Sequence, residues 1–576
     1  MAPALTLPTR GENNPSLNTE KVNELIFQGS ETGALQTINI GRLLDKQHET
    51  RPDKTAIISK WQDNRSKTYN QLRDSSRSLA SALLQLGVRP HDRIVVLAGN
   101  SLEYTELFYA VAAIGAIFAI INPTFTTEEI IPAIEFLDPK VIFIADRIGY
   151  RKYRQLIADI ARASDEPSKI VQLGSTERVC NGILIWDEFL ELANKDNGQN
   201  LLEKHWAKAN IDDTVCIQFT SGTTGPRKAA MLSHGNFLNN ALLVGQRLGF
   251  TCDDVILCCS PVFHCFGLVC GIIAAFVYGG TAVLPSDVFV AEASLKALSE
   301  DKCTVVHAVP TMFQAMLDHP DAQKIAPHIK LRTGIIAGSS LSRSLLSRLS
   351  SEFNFNDLAY GYVFLTNPSK VSLLDNHTSV GTVMPHTSAR VVDDKLNTVP
   401  PGEAGELLVS GYSTFHGYYK NPMSTASTLV RDSKGKMWLR TGDLVKIDGE
   451  GRCTIIGRVK DMVKRGGENI YPSDVEKVLD LHPDIAASAV VGVPDEYWGE
   501  AVVAFVQHSM AGQTISNKDM KMWLRSQLAP HKVPEKFFWF GTGDGVPEAL
   551  PVNATGKVVK KDLRAVATTL LLPGKE

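Results

Sequence analysis

From Asn39 onward the chain alternates between two textures. Apolar residues at helical spacing fill 43–50, 69–86 and 103–114, and short runs rich in β-branched residues fill 55–59, 93–98, 117–121, 141–145 and 170–174. A period near 3.6 predicts helices and the short apolar runs predict buried strands, so the text reads as helices packed on a mainly parallel sheet. Residues 1–38 are polar, with one apolar patch at Leu25-Ile26-Phe27, and predict an arm lying on the first domain. Further on, 255–259 reads as a strand, 305–313 as a strand running into a helix, and 486–493, 501–507 and 518–528 as a βαβ-like unit.

Two stretches raise the question of a membrane. Residues 107–121 number 15, short of the roughly 20 that span a bilayer. Residues 266–284 number 19 but contain Tyr278-Gly279-Gly280, which suits a turn from helix to strand. Both are expected in a buried α/β core, with no membrane span.

Between these elements lies a stretch with chemistry in it. A strand at 215–219 ends in Thr220-Ser221-Gly222-Thr223-Thr224-Gly225-Pro226-Arg227-Lys228, and the text from Ala229 to Leu243 is compatible with helix. A strand, a polar glycine loop and a lysine can turn backbone N–H groups inward on phosphate oxygens. It is not a Walker A loop: Arg227 stands where the second glycine belongs, and Ala229 has no hydroxyl for a metal ion. A plain surface turn uses the same residue types.

At 576 residues the chain predicts two or more domains. With 44% apolar residues, 21% charged and a net charge of −3, nothing favours nucleic acid as a partner. Nine cysteines without a Cys-x-x-Cys argue against a zinc site or a secreted disulfide scaffold. The first 35 residues carry Glu12, Glu20, Glu24 and Glu31 and no apolar run, and Pro573-Gly574-Lys575-Glu576 is not a Ser-Lys-Leu type signal. A cytoplasmic location is the expectation by elimination.

Phe219 to Lys228, followed by Leu232-Ser233-His234-Gly235-Asn236, closely resembles the phosphate loop of the acyl-adenylate-forming enzymes: acyl-CoA synthetases, nonribosomal-peptide adenylation domains and luciferases. The usual form is Thr-Ser-Gly-Thr-Thr-Gly-x-Pro-Lys-Gly; here Arg227 replaces the proline and Ala229 the last glycine. Further landmarks follow in the family's order. Ser260-Pro261-Val262-Phe263-His264 resembles the stretch that borders the acyl pocket, which implies that His264 meets the carboxylate, although a lone histidine at a strand end is often structural. Trp438-Leu439-Arg440-Thr441-Gly442-Asp443 implies a ribose ligand in Asp443, and Gly457-Arg458 implies a ribose or phosphate contact from Arg458. Lys460 matches the hinge position. Lys464, Gly466, Gly467 and Glu468 match the segment lining the pantetheine tunnel, with a solvated basic face as the other reading of Lys464 and Arg465. Near the end, Thr555-Gly556-Lys557 resembles the terminal Gly-Lys loop, which implies that Lys557 contacts the carboxylate and α-phosphate.

One landmark is broken. Where the family reads Tyr-Gly-x-Thr-Glu, this chain has Tyr360-Gly361-Tyr362-Val363-Phe364-Leu365-Thr366-Asn367. Tyr360 and Gly361 fit the adenine-binding positions. Without a gap, Val363 and Phe364 replace threonine and glutamate; with three residues inserted, Thr366 is kept as the α-phosphate contact and Asn367 stands at the Mg²⁺ position. The gapped register is preferred because Val371-Ser372 then also align. Either way the carboxylate is missing, which leaves a slowed enzyme, a chain that has lost adenylation, or a wrong exon junction.

The resemblance therefore implies an α/β fold: a large N-terminal domain (39–457) with mixed β-sheets flanked by helices, and a small mobile α+β C-terminal domain (458–576), hinged near Lys460. It implies an ATP-dependent acyl-CoA ligase that uses ATP, Mg²⁺, CoA and a small carboxylic acid, fatty or otherwise hydrophobic. The alternatives are an acyl-AMP ligase serving an acyl-carrier protein or downstream synthase, and a degenerate nucleotide-binding homologue.

Overall fold

The computed structural model describes residues 25–194, 198–220, 228–338, 341–361, 363–367, 378–509, 515–543, 545–552 and 558–571. Among them, one sheet runs parallel through Leu184–Ile185, Ile170–Leu173, Val141–Ala145, Arg93–Leu97, Ile117–Ile120 and Thr214–Phe219, then antiparallel through Ala229–Ser233 and Gly417–Tyr418. A second runs parallel through Leu358–Tyr360, Thr333–Ile336, Val305–Ala308, Val255–Leu257, Thr281–Leu284 and Thr55–Ser59, with Arg65–Thr68 antiparallel at its edge. The alternation legible in the sequence is thus a pair of α/β sheets.

The helix Leu102–Ala113 explains the first membrane-like stretch. It is buried on every face except at Glu103, because it touches Ile117–Ile120 of one sheet and Thr55–Ser59 of the other. A helix covered on both sides has no polar stripe. The second stretch is the π-helix Phe266–Ile273, the helix Ala274–Tyr278, a left-handed Gly279 (φ +73°) and the strand Thr281–Leu284, all in the core. No helix among the described residues is long and apolar enough to cross a membrane.

One expectation fails at Ala229. The text after Lys228 does not go straight into helix: Ala229–Ser233 is a strand antiparallel to Thr214–Phe219, and the helix is His234–Arg247. Ser233 accepts the Asn236 N–H in a capping box, which fixes the helix start there. His234 then lies fully buried with Nδ1 accepting the Ile40 N–H at 3.2 Å, and burial pulls its pKa down to about 4, so the ring is a neutral structural strut.

The apolar patch at the arm is an edge strand. Phe27–Gln28 pairs antiparallel with Thr387–Val392, Phe27 packs with Phe364, Val380 and Val391, and Gln36 and Asn239 exchange hydrogen bonds. This third sheet continues through Ala404–Gly411 to the long strand Met437–Ile447, which also pairs with Leu429–Arg431 and Cys453–Arg458. Residues 1–24 lie outside the described part.

Beyond Arg458 a 3₁₀ turn, Val459–Asp461, leads into a five-stranded sheet with a core on each face. Helices Pro472–Leu479 and Asn517–Arg525 bury Val475, Leu479, Met520 and Leu524 on one side; Lys560–Leu571 buries Leu563 and Ala567 on the other. The βαβ expectation is corrected in part. Ile485–Asp495 and Gly499–His508 form an antiparallel hairpin, and the βαβ unit is Gly499–His508, Asn517–Arg525 and Lys536–Trp539.

Candidate active site

The glycine loop is pinned at its root. The Thr220 N–H donates to the Lys228 carbonyl at 2.8 Å, continuing the ladder of Thr214–Phe219 with Ala229–Ser233. Two strands therefore hold the loop ends together; Ser221, Gly222, Thr223, Thr224 and Gly225 lie outside the described residues. Lys228 carries its ammonium 5.1 Å from the centre of the Tyr418 ring, which the pairing of Ala230 with Tyr418 puts alongside.

The same root reaches His264. Gln218 donates its side-chain N–H to the Phe263 carbonyl at 2.8 Å, so the turn before the π-helix hangs from the strand that carries the loop. His264 Nδ1 accepts the Phe266 N–H at 3.1 Å, with Cys265 Sγ 4.0 Å away. Burial disfavours a charged ring, whereas a thiolate at Cys265 would favour one and raise the imidazole above its ordinary pKa. The Phe266 bond decides for the neutral ring, because a protonated Nδ1 would set N–H against N–H; the ring hydrogen then sits on Nε2.

Tyr360 ends a strand of the second sheet, and burial pushes its hydroxyl up to about 12, leaving it neutral. Gly361 turns at φ +110°, and Phe364–Leu365 returns as a strand against Thr382–Val383. The loop closes on itself: Thr366 Oγ1 accepts the Tyr360 N–H at 2.8 Å, and the Thr366 N–H donates to the Tyr360 carbonyl at 3.1 Å. Thr366 thus lies beside Tyr360 although Gly361 to Leu365 intervene. Asn367 follows, half-buried. A Cβ on Gly381 would sit 2.4 Å from the Thr366 nitrogen, so the Leu365–Thr366 peptide lies where only glycine leaves room. Val371 and Ser372 lie outside the described residues.

On the third sheet Asp443 stands opposite Arg458, with Arg458 Nε 2.6 Å from Asp443 Oδ1. Lys460 is close behind. Burial first, then the charges of Arg458 and Lys228, hold its ammonium below the usual lysine range, while Asp461 and Asp443 work the other way. Lys460 thus feels two other cations, Arg458 and Lys228, and two carboxylates, so cations outnumber carboxylates around it, a surplus that favours an anionic ligand.

Lys464, Gly466, Gly467 and Glu468 form one hairpin. Val463–Arg465 and Glu468–Ile470 pair antiparallel, and the two glycines turn at φ +57° and +86°, the left-handed pair that a two-residue hairpin requires. A Cβ on Gly466 would lie 2.7 Å from the Trp498 ring, and the Gly466 N–H donates to the Trp498 carbonyl at 2.8 Å. Arg465 is not a solvated base: its guanidinium lies over Trp498, pairs with Glu535 and donates to the His531 carbonyl at 2.9 Å. Lys464 is exposed, its backbone N–H donating to Glu500 at 2.7 Å. Lys557 lies outside the described residues. Of the described residues around it, Val552 bridges Val558 and Lys560 pairs with Glu476 at 2.6 Å. Trp498 carried no sequence signal of its own, whereas Glu406 and Tyr418 lie in 401–411 and 417–419, stretches that resemble the family's text without naming a role for either residue.

Among the described residues no group of three or more His, Cys, Asp or Glu side chains is disposed to hold a metal ion. Residues 44–419 match the family model described as AMP-binding enzyme, and residues 474–557 match the one described as AMP-binding enzyme C-terminal domain. An acyl-CoA ligase, sidI, of Aspergillus fumigatus is 37% identical over 558 residues, covering 95% of this chain and 94% of its own. The mitochondrial medium-chain acyl-CoA ligase ACSF2 of Danio rerio is 30% identical over 573 residues, covering 96% and 92%. The crystal structure of ATP-bound MatB from Rhodopseudomonas palustris superposes with a TM-score of 0.77 at 27% identity, covering 92% of this chain and 99% of that one.

Proposed function

The chain belongs to the AMP-binding enzyme family and is an AMP-forming acyl-CoA ligase, and from that premise we propose which residues do the work and what kind of acid they take. The observation that carries the assignment is the Arg458–Asp443 pair at 2.6 Å, with Lys460 within electrostatic reach of both and of Lys228 at the root of the glycine loop. The loop from Thr220 to Gly225 and Lys228 hold the β- and γ-phosphates. Tyr360 offers its ring to adenine, and Asp443 accepts the ribose hydroxyls, as an ionised carboxylate can.

The first half-reaction joins acid to nucleotide. A carboxylate oxygen attacks the α-phosphorus, a P–O bond forms, and pyrophosphate leaves with the electrons of the bond that breaks. His264, neutral with its hydrogen on Nε2, orients the carboxylate, while Thr366 and Lys557 meet the α-phosphate charge. In the second half-reaction the CoA sulfur attacks the acyl carbon and AMP departs. We place the boundary between large and small domains at the Val459–Asp461 turn, with rotation at Lys460 exchanging Lys557 for the Gly466-Gly467 hairpin.

Mg²⁺ fits this chain as an ion carried in on the ATP phosphates rather than held by a resident cage, since Asn367 offers a neutral oxygen where the family has a carboxylate. When bound, it would neutralise phosphate charge. The acid we infer is hydrophobic and of medium length, supported by the buried apolar text from Phe263 to Phe276 and by the medium-chain relatives. Nine free thiols favour a reducing setting such as the cytoplasm.

The test is carboxylate-dependent pyrophosphate release with ATP and Mg²⁺ over short, medium, long and aromatic acids, with and without CoA. Release that peaks at medium-chain acids and ends in acyl-CoA is the expected result. Acyl-AMP that accumulates beside CoA and is discharged only by a phosphopantetheinyl carrier would favour the carrier-loading alternative. ATP binding without turnover on any acid would mean a degenerate homologue.

Gly466→Ala separates the half-reactions. The added methyl meets Trp498 at a left-handed backbone position, so the hairpin must shift. Acyl-AMP consumption by CoA should fall by roughly 10-fold, the equivalent of about 1.4 kcal/mol. Pyrophosphate release in single turnover should stay within about twofold. Equal losses in both would contradict the tunnel assignment.

A further inference from the structure

The Thr441-Gly442-Asp443 landmark is a β-bulge, and its support comes from a residue of the neighbouring strand. In the pairing of Ala404–Gly411 with Met437–Ile447, Glu406 stands opposite Leu444 and Leu408 opposite Arg440. One residue, Leu407, therefore faces three, Thr441, Gly442 and Asp443. Bulges of this kind re-aim side chains next to active sites, and they leave ladder donors without partners. Here the Gly442 N–H is such a donor, and Glu406 Oε1 accepts it at 3.2 Å.

Glu406 is buried, 8% exposed, and its other oxygen is used as fully. Oε2 accepts Arg440 Nη2 at 2.6 Å and Nε at 3.1 Å, so the carboxylate grips the strand just before the bulge and inside it. The Thr441 hydroxyl completes the stitch, donating to the Leu407 carbonyl at 2.8 Å and accepting the Asp443 N–H at 3.1 Å. Gly442 turns at φ +70°, yet a Cβ there would meet nothing within 4 Å. The glycine serves backbone shape, and something else must hold that shape.

We propose that Glu406 is the positioning residue for Asp443: by fixing the bulge from the neighbouring strand it sets the Asp443 carboxylate where it reads the ribose hydroxyls. The inference rests on the ribose role of Asp443 proposed above. Glu406 touches no substrate, so its loss acts on nucleotide selection and not on the chemistry at phosphorus.

The readout is selection between ATP and 2′-deoxy-ATP in pyrophosphate release by the full chain, measured for Glu406→Ala, Glu406→Gln, Asp443→Ala and the double variant Glu406→Ala/Asp443→Ala. Glu406→Ala should raise KM for ATP roughly 10- to 100-fold and erode the preference over 2′-deoxy-ATP by a similar factor, as loss of a hydrogen bond to a charged group does. KM for the acid should stay within about twofold. Glu406→Gln, which keeps an acceptor for Gly442 but not the ion pair, should fall between, and it carries the comparison if the alanine variant does not fold. The double variant should be no worse than Asp443→Ala alone.

Two failures are distinguishable. If Asp443→Ala leaves the preference for ATP intact, the ribose role is wrong and the inference goes with it. If Asp443→Ala abolishes the preference while both Glu406 variants keep it, or lose Tm and activity toward both nucleotides alike, Glu406 is a structural ion pair and the inference alone is overturned.

Discussion

Lys557→Ala should cut carboxylate-dependent pyrophosphate release by roughly 100- to 1,000-fold, the cost of removing one preorganised charge from a developing phosphoryl transition state. Consumption of supplied acyl-AMP by CoA should change by less than about threefold, since that half-reaction follows the swing of the small domain. The described neighbours make the loss local. Lys560–Leu571 is anchored by Leu563 and Ala567 in a core and by the Lys560–Glu476 pair, and Val552 bridges Val558. A long stem with a point charge at its tip suits this work, and arginine, a planar fork, should not rescue it. Equal loss in both half-reactions, or full activity in Lys557→Arg, would remove Lys557 from the catalytic role.

What the sequence made legible follows a physical line. Thr55–Ser59 and Val141–Ala145 are strands with the expected bounds because continuous β-branched runs between polar breaks leave little choice. Ala229–Ser233 escaped because Ala, Ala, Met and Leu are good helix formers, and its strand is imposed by pairing with Thr214–Phe219 across the loop. The solvated face, the other reading of Arg465, fails for a like reason: its partner Glu535 lies 70 residues away in the chain. The candidate site divides likewise. Loops whose residues are contiguous, the glycine loop and Thr441-Gly442-Asp443, can be matched from text, whereas the grip of Glu406 on Arg440 and Gly442 spans 34 and 36 residues and exists only across a strand pair.

The broken landmark yields the second large effect. Asn367→Glu should raise turnover about 10-fold, the equivalent of about 1.4 kcal/mol, by returning a carboxylate to the place where the family has one. It should also lower the Mg²⁺ concentration needed for half-maximal rate, since a hard cation prefers a charged oxygen to an amide carbonyl. Burial separates the two positions. Asn367 is half-buried next to Thr366, which is hydrogen-bonded to Tyr360, and a carboxylate there keeps access to solvent. In the ungapped register the glutamate would fall on Phe364, 3% exposed and packed with Phe27, Val380 and Val391. A charge in that cluster would be desolvated without a partner, so Phe364→Glu should lower Tm steeply and restore nothing. Measured side by side, faster turnover with a shifted Mg²⁺ curve in Asn367→Glu alone supports the gapped register. No change in either quantity would argue against the gapped register, because a carboxylate returned to the family's metal position should be felt by an ion that prefers charged oxygens.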